Sequence, residues 1–195
     1  MLKTVKLNDP MIAEIIGGQI MTRLSVKDEY EGVVEQGKVI IPKCILNDGT
    51  IAVNELPLEK LKALPDEKKI TKEGDIVIKL STPYDSAIIT EETAGCIVPS
   101  FCAIIRCNDI EREYLQAFLS TDECKNQLKK QIAGALVTLL SVGKLGNIDV
   151  PYPNKALQKR IGEAYVRNQE KVSILKRIIE LENKKNDAIF KELTR

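Results

Sequence analysis

Residues 154–193 read NKALQKRIGEAYVRNQEKVSILKRIIELENKKNDAIFKEL, a stretch with no proline and a single glycine, Gly162. Asn154 is a good N-cap, and Glu163/Arg167, Glu180/Lys184 and Asp187/Lys191 are acid-before-base pairs at i,i+4. Stepping alternately by four and three residues picks out Ile161, Tyr165, Asn168, Val172, Leu175, Ile179, Glu182, Asn186, Ile189 and Leu193, seven of them apolar. That is the 3.5-residue seam of a coiled coil. At 1.5 Å per residue the helix is about 60 Å long, too long to bury against one small domain. The expectation is pairing with another helix through Ile161, Tyr165, Val172, Leu175, Ile179, Ile189 and Leu193. The alternative is a helix folded back on its own domain.

Within the seam, Asn168, Glu182 and Asn186 are polar intrusions of the kind that fixes register and orientation. Around residues 172–181 the apolar band widens to include Ile174, Ile178 and Leu181, so a third surface is expected to dock there. Lys159, Arg160, Lys176 and Arg177 read as a solvated basic face. Charge divides along the same boundary: residues 155–195 carry a net +5 and residues 1–154 a net −4, within a whole chain of 195 residues at +1.

The composition excludes whole classes of chemistry. With no histidine, a histidine base, a histidine-ligated metal site and a histidine proton relay are all ruled out. Hydrophobic residues are 44% and charged residues 29%, as in a core-forming soluble protein. No run approaches the ~20 apolar residues that span a bilayer, and the first residues lead into no hydrophobic signal region, so a cytoplasmic protein is expected. The five cysteines, Cys44, Cys96, Cys102, Cys107 and Cys124, form no C-x-x-C pair and read as buried thiols of a reducing compartment. If residues 101–107 form a strand, Cys102 and Cys107 point to opposite faces. Pro65-Asp66-Glu67-Lys68-Lys69 has the letters of a metal-dependent nuclease motif, but its acids are adjacent in a polar loop rather than on separate strands. There is no phosphate-binding glycine loop and no glycine-rich dinucleotide turn. The absence of a catalytic constellation points to a binding or scaffolding protein.

The remainder of the chain has two regimes. Residues 1 to about 110 alternate turn signals with short apolar runs and read as mainly β, with short helices expected at 11–16 and 58–64. Asn47-Asp48-Gly49-Thr50 reads as a hairpin turn. From Asn108 the pattern is helical. Asp109 is expected to cap one helix, Ser120-Thr121-Asp122-Glu123 to form a capping box for a second, and Gly134 to close it. A short strand follows at Ile148-Asp149-Val150, and Pro151-Tyr152-Pro153 breaks the chain before the long helix.

Several of these segments, in this order, resemble the specificity (S) subunits of type I restriction-modification systems. Glu73-Gly74-Asp75-Ile76-Val77-Ile78 is similar to that family's "GD-I/V-L/V-I" strand, and Val98-Pro99-Ser100-Phe101-Cys102-Ala103-Ile104-Ile105 to the strand after it. Glu113-Tyr114-Leu115 with Leu119-Ser120 resembles its "YL…L.S…G" segment. Leu145-Gly146-Asn147-Ile148-Asp149-Val150-Pro151-Tyr152-Pro153 resembles "L..I.IP.P", followed by Gln158 and Ile161 where the family begins its long helix. The resemblance covers about residues 73–195; the first 70 match loosely through Ile12-Ala13-Glu14-Ile15-Ile16-Gly17-Gly18.

It implies a mixed α/β (α+β) target-recognition domain at 1–152 and one long dimerisation or spacer helix, a coiled-coil helix, at 153–195. The implied unit is a half-size, non-catalytic subunit pairing as a two-fold homodimer. Implied partners are double-stranded DNA, a modification methyltransferase subunit that would hold S-adenosylmethionine, and a restriction subunit, with no cofactor on this chain and no membrane. Ile174, Ile178 and Leu181 are then the expected docking surface for the modification subunit. DNA-facing groups are expected in loops at strand ends: Lys79, Ser81, Thr82 and Tyr84, and Thr138, Ser141 and Lys144. Two departures stand out: the recognition domain is net acidic, and the segment after Gly134 carries Leu136, Val137, Leu139 and Leu140 where the family is polar. DNA binding by the chain alone is therefore expected to be weak, or to draw on its partners' basic surfaces. The reading from another class is a coiled-coil scaffold that keeps the fold without DNA recognition.

Overall fold

The computed structural model describes residues 3–26, 32–132 and 139–193. Thr138, Gly134, Leu136, Val137 and the Asp187 side chain lie outside the described residues. In chain order the elements are β1 (Thr4–Lys6), β2 (Ala13–Gly17), α1 (Met21–Leu24), β3 (Glu35–Lys38), β4 (Leu58–Leu61), β5 (Ile76–Lys79), β6 (Ser86–Ile88), β7 (Cys102–Cys107), α2 (Arg112–Leu119), α3 (Asp122–Ile132), α4 (Val142–Gly146), β8 (Asp149–Pro151) and α5 (Lys155–Leu193). This is a mixed α+β domain followed by one long helix.

The domain is built around β7, which is buried on both faces. It lies in a four-stranded antiparallel sheet of order β2-β7-β5-β6, with Ile15 and Ile76 both registered on Ile105, and Ile16 and Val77 on Ile104. Cross-strand pairs of β-branched side chains are what stabilise such a sheet. One face, with Ile76, Ile78, Ala103 and Ile105, is covered by Tyr114, Leu115, Phe118 and Leu119 of α2, by Cys124 and Leu128 of α3, and by Leu145 of α4. The other, with Val77, Cys102 and Ile104, packs on Ile40, Ile45, Ile89, Cys96 and Val98 from turns and loops. Cys102 and Cys107 do fall on opposite faces. Burial pushes the thiols of Cys102, Cys107 and Cys124 up to about 12, which keeps them protonated.

Several local expectations are corrected. Residues 11–16 form no helix: Ala13–Gly17 is strand β2, because the pair Ile15 and Ile16 is more stabilised by alternating across a sheet beside β7 than by one helical face. Residues 58–64 do not form a helix either. Leu58–Leu61 is strand β4, paired with β3, and only Leu61 is buried while Leu58 and Leu64 stay exposed. The i,i+3 leucine spacing there is therefore not a core face. Asp109 does not cap α2. The N-cap is Glu111, whose backbone N–H donates to Gln158 Oε1 at 3.0 Å. The cap of α3 is Thr121, whose hydroxyl accepts from the Cys124 N–H at 3.2 Å, rather than a Ser120–Glu123 box. Three readings hold. The 47–50 segment is a tight turn closed by the Leu46 N–H donating to Thr50 O, Asp66-Glu67-Lys68-Lys69 is a capped exposed turn, and Asn154 caps α5 through the Leu157 N–H at 2.9 Å.

Leu140, fully buried, donates its N–H to Leu80 O at 2.7 Å, and Leu139 packs partly against the same core. That part of the unexpected apolar segment fills the domain interior. Ile104, fully buried at the centre of the sheet, is expected on truncation to alanine to lower unfolding stability by about 2–5 kcal/mol, read by denaturant titration.

Candidate functional site

The two stretches expected to face DNA meet at one end of the sheet. β5 ends at Lys79, Leu80 hydrogen-bonds to Phe101 O and accepts from the Leu140 N–H, and Ser141 follows as the N-cap of α4, its hydroxyl taking the Lys144 N–H at 3.2 Å. Ser81, Thr82, Ser141 and Lys144 therefore share this end, with Thr82 and Ser141 exposed and Ser81 and Lys144 half-buried. Residues 17–19 are stitched to it by the Gln19 N–H donating to Val98 O at 2.7 Å and the Ser100 N–H donating to Gln19 O at 2.8 Å. Only a glycine fits at 18, where a Cβ would lie 2.1 Å from Pro99 O.

Two expected contacts are corrected. Tyr84 is fully buried, its ring in the core beside Leu80 and Leu115, so it reaches no ligand at the surface. Lys79 is held by Asp85 at 2.9 Å, a pair 13% and 6% exposed, and Lys125 approaches the other Asp85 oxygen at 3.7 Å. That ammonium is neutralised inside the fold and is not available to a phosphate. Phe101, read from the sequence as part of the apolar strand run 101–107, lies just before β7 and is 57% exposed at this end. Aromatic and hydroxyl side chains on turns can stack on, or hydrogen-bond to, bases and phosphates.

The opposite end of the sheet carries a polar cleft of about 580 Å³ lined by Lys72, Asp75, Arg106, Arg112 and Lys155 among others. Its centre is satisfied internally. Asp75 receives Arg106 Nε at 2.9 Å and Nη2 at 2.8 Å, and these hydrogen bonds hold the guanidinium above its ordinary range. Among the described residues, no group of three His, Cys, Asp or Glu side chains converges to hold a metal.

The junction between domain and helix is held by several side-chain hydrogen bonds and an ion pair. Gln158, fully buried, accepts from the Glu111 N–H and donates from Nε2 to Pro153 O at 2.9 Å. Tyr114 Oη donates to Pro151 O at 2.6 Å, and Tyr152 Oη donates to Asp109 at 2.6–2.7 Å. Lys155 Nζ, 2.7 Å from Asp109, and the Tyr152 hydroxyl together hold that carboxyl below its usual range. One turn on, Gly162 lies so near α2 that a Cβ would be 2.8 Å from Glu113 Cβ and 3.1 Å from Tyr114 N. Tyr165 is half-buried against the 47–50 turn, and Lys176, read from the sequence as solvated, pairs with Asp48 at 2.8 Å.

The helix thus follows both readings in turn. Its first half lies along its own domain and its second half extends beyond it. Tyr165 belongs largely to the intramolecular contact rather than to a free seam. Val172 is half-buried and Ile161 is 38% exposed, whereas Leu175, Ile179, Ile189 and Leu193 are 59%, 61%, 45% and 82% exposed. Ile174, Ile178 and Leu181 are 50–61% exposed.

No family model and no curated protein sequence matches the chain. Solved structures do. A chain from a structure of the type I R-M system, concerned with its complex assembly and conformational transition, superposes with a TM-score of 0.61 at 21% identity over 90% of this chain and 40% of that one. The HsdS subunit of Thermoanaerobacter tengcongensis gives 0.60 at 20% identity over 90% and 39%. The type I restriction-modification S subunit of M. genitalium gives 0.56 at 16% over 92% and 42%. The fold is that of the type I S subunits. The chain spans about two fifths of the length of these structures.

Within the S-subunit fold, the segment Leu145 to Ile161, where the sequence resemblance is best, joins domain and helix: β8 pairs with β1, and Gln158 bonds to Pro153 at the start of α5. The sequence pointed to Gln158 but not to its two backbone partners. Gly162 was the legible signal, since a glycine in a helix interior costs about 1 kcal/mol and calls for a packing reason. Gly162→Ala is expected to destabilise by about 1–3 kcal/mol despite its better helix propensity, measured by thermal unfolding. Gln158→Leu, which strands the Glu111 N–H and Pro153 C=O, is expected to cost about 2–5 kcal/mol in the same assay. For Asp48, burial alone would raise the carboxyl, but hydrogen bonds from Lys176 and Thr50 outweigh it and hold it below its ordinary value of 3.8. A depressed folded-state pKa stabilises above the unfolded value and is lost as pH falls through the folded one. The stability gap between the native chain and Asp48→Asn should therefore be present at neutral pH and vanish in acid below the ordinary carboxylate range, a trend that urea titrations across pH will check.

Proposed function

We propose that this chain is a DNA sequence-recognition unit of a type I restriction-modification system. Its domain reads one half of a bipartite target, and its α5 pairs with the α5 of a second copy, so that two domains face DNA at a fixed separation with two-fold symmetry. It carries no catalytic step. It positions a methyltransferase subunit, which holds S-adenosylmethionine, and with it a restriction subunit. The observation that carries this reading is a helix held to an S-subunit-type domain over its first half, with Leu175, Ile179 and Leu193 of its second half more than half exposed. Burying such side chains stabilises by about 1.5–3 kcal/mol each when complete. Two copies of a chain covering 40% of a neighbour's length amount to most of one such subunit.

The net charge of −4 on residues 1–154 favours one rival, a coiled-coil scaffold without DNA recognition. Light scattering should give a dimer of full-length chains at micromolar concentration, and Ile179→Asp should give monomers; a monomeric native chain would defeat the two-fold arrangement. With its methyltransferase the native dimer should bind a bipartite target with strong salt dependence. Ile178→Asp should lose the methyltransferase and keep the dimer. A native complex that prefers no target over random duplex would establish the scaffold instead.

A further inference from the structure

Beyond the junction, α5 meets the domain at a second place. Lys176 lies fourteen residues after Gly162, close to four turns and about 21 Å along the axis, so both face the domain. There the 47–50 turn reaches out to the helix. Gly49, at φ +79°, allows both the turn and its close approach: a Cβ would sit 2.9 Å from Tyr165 Oη and 3.2 Å from Gln116 Nε2. Asp48 divides its oxygens between the two tasks. Its Oδ1 accepts from the Thr50 hydroxyl at 2.6 Å and the Thr50 N–H at 3.2 Å, which stiffens the turn, while Oδ2 accepts from Lys176 Nζ at 2.8 Å. Asn47 Oδ1 takes the same ammonium at 3.3 Å. Between turn and helix runs an open apolar groove of about 530 Å³, lined by Ile88, Tyr165, Val166 and Ile174, so the polar contacts of Asp48 and Asn47 share in holding the helix here.

A rod held at one point can rock, whereas a rod held at two has one angle. We propose that the 47–50 turn is a latch that fixes the angle of α5 against the domain through Asp48 and Lys176. Resting on the reading above, it also sets the spacing of the two half-sites that a pair of chains accepts. Rocking by about 10° around Gly162 moves a point roughly 30 Å away by about 5 Å, more than the ~3.4 Å rise of one base pair. Asp48 and Lys176 are positioning residues for recognition, without contact to the bases.

The test uses spin labels on non-cysteine analogues at positions 101 and 193, which are 57% and 82% exposed, in full-length chain diluted with unlabelled copies. The native chain and Lys176→Arg should give one narrow distance. Lys176→Glu, folded by circular dichroism, should broaden it by about twofold as several angles become populated. In the complex with methyltransferase, methylation of targets differing only in spacer length should show the native chain favouring one spacer, and Lys176→Glu losing about tenfold of that discrimination. A native-width distribution in Lys176→Glu overturns the latch. Broadened distances with unchanged spacer choice overturn its role in spacing. A native complex that methylates no bipartite target, with distances behaving as expected, removes the DNA-recognition reading and keeps the latch.

Discussion

A single buried amide carries the relation between domain and helix. Gln158, itself fully buried, satisfies the first backbone N–H ahead of α2 with one atom and the carbonyl of Pro153 with the other. Buried backbone groups left without a partner cost the full desolvation of the group. The start of α5 is therefore tied to the start of α2, and through α2 to the central sheet. Tyr114 bonds to Pro151 and Tyr152 and Lys155 to Asp109 close by, and Gly162 removes the side chain that would keep the helices apart. These contacts fix where α5 leaves the domain, and the Asp48–Lys176 pair meets it again farther along.

That direction divides the helix. Over the first half its domain-facing side is spent on α2 and on the 47–50 turn. Beyond Lys176 the helix runs on past the sheet, since a helix of 39 residues outruns one small sheet and its helical layer. The apolar stripe of α5, punctuated by Asn168, Glu182 and Asn186, continues past Lys176 with Ile179, Ile189 and Leu193 exposed, the pattern of a register-specific helix pair. The other end of the domain is made of turns, where Phe101, Thr82 and Ser141 stand out from a sheet whose cations are largely neutralised internally, Lys79 by Asp85 and Arg106 by Asp75.

The strands and helices with clean periodicity were legible. β5, β7, β8, α2 and α5 all lie where their apolar patterns put them. The failures are specific. Residues 11–16 and 58–64 carry good helix formers, and pairing with β7 and β3 overrode that weak local preference. Lys79 ends strand β5 and Tyr84 lies in the loop after it, the usual place of a binding residue. Tyr84 turns into the core at φ +58°, and Lys79 finds Asp85, six residues on. Lys176 looked solvated because its partner, Asp48, is 128 residues away in sequence.

By itself the sequence determined the division into a mixed α+β domain and a long amphipathic helix, the absence of histidine chemistry, and a motif order resembling the S subunits. These are consequences of period and composition, which neighbouring residues carry locally. Only the tertiary structure decided which half of the helix is free, which hydroxyl, lysine and aromatic side chains reach the surface, and that an aspartate in a hairpin turn holds the helix from the side. Such facts depend on contacts between residues far apart in the chain, and spacing along the sequence says nothing about distance across the fold.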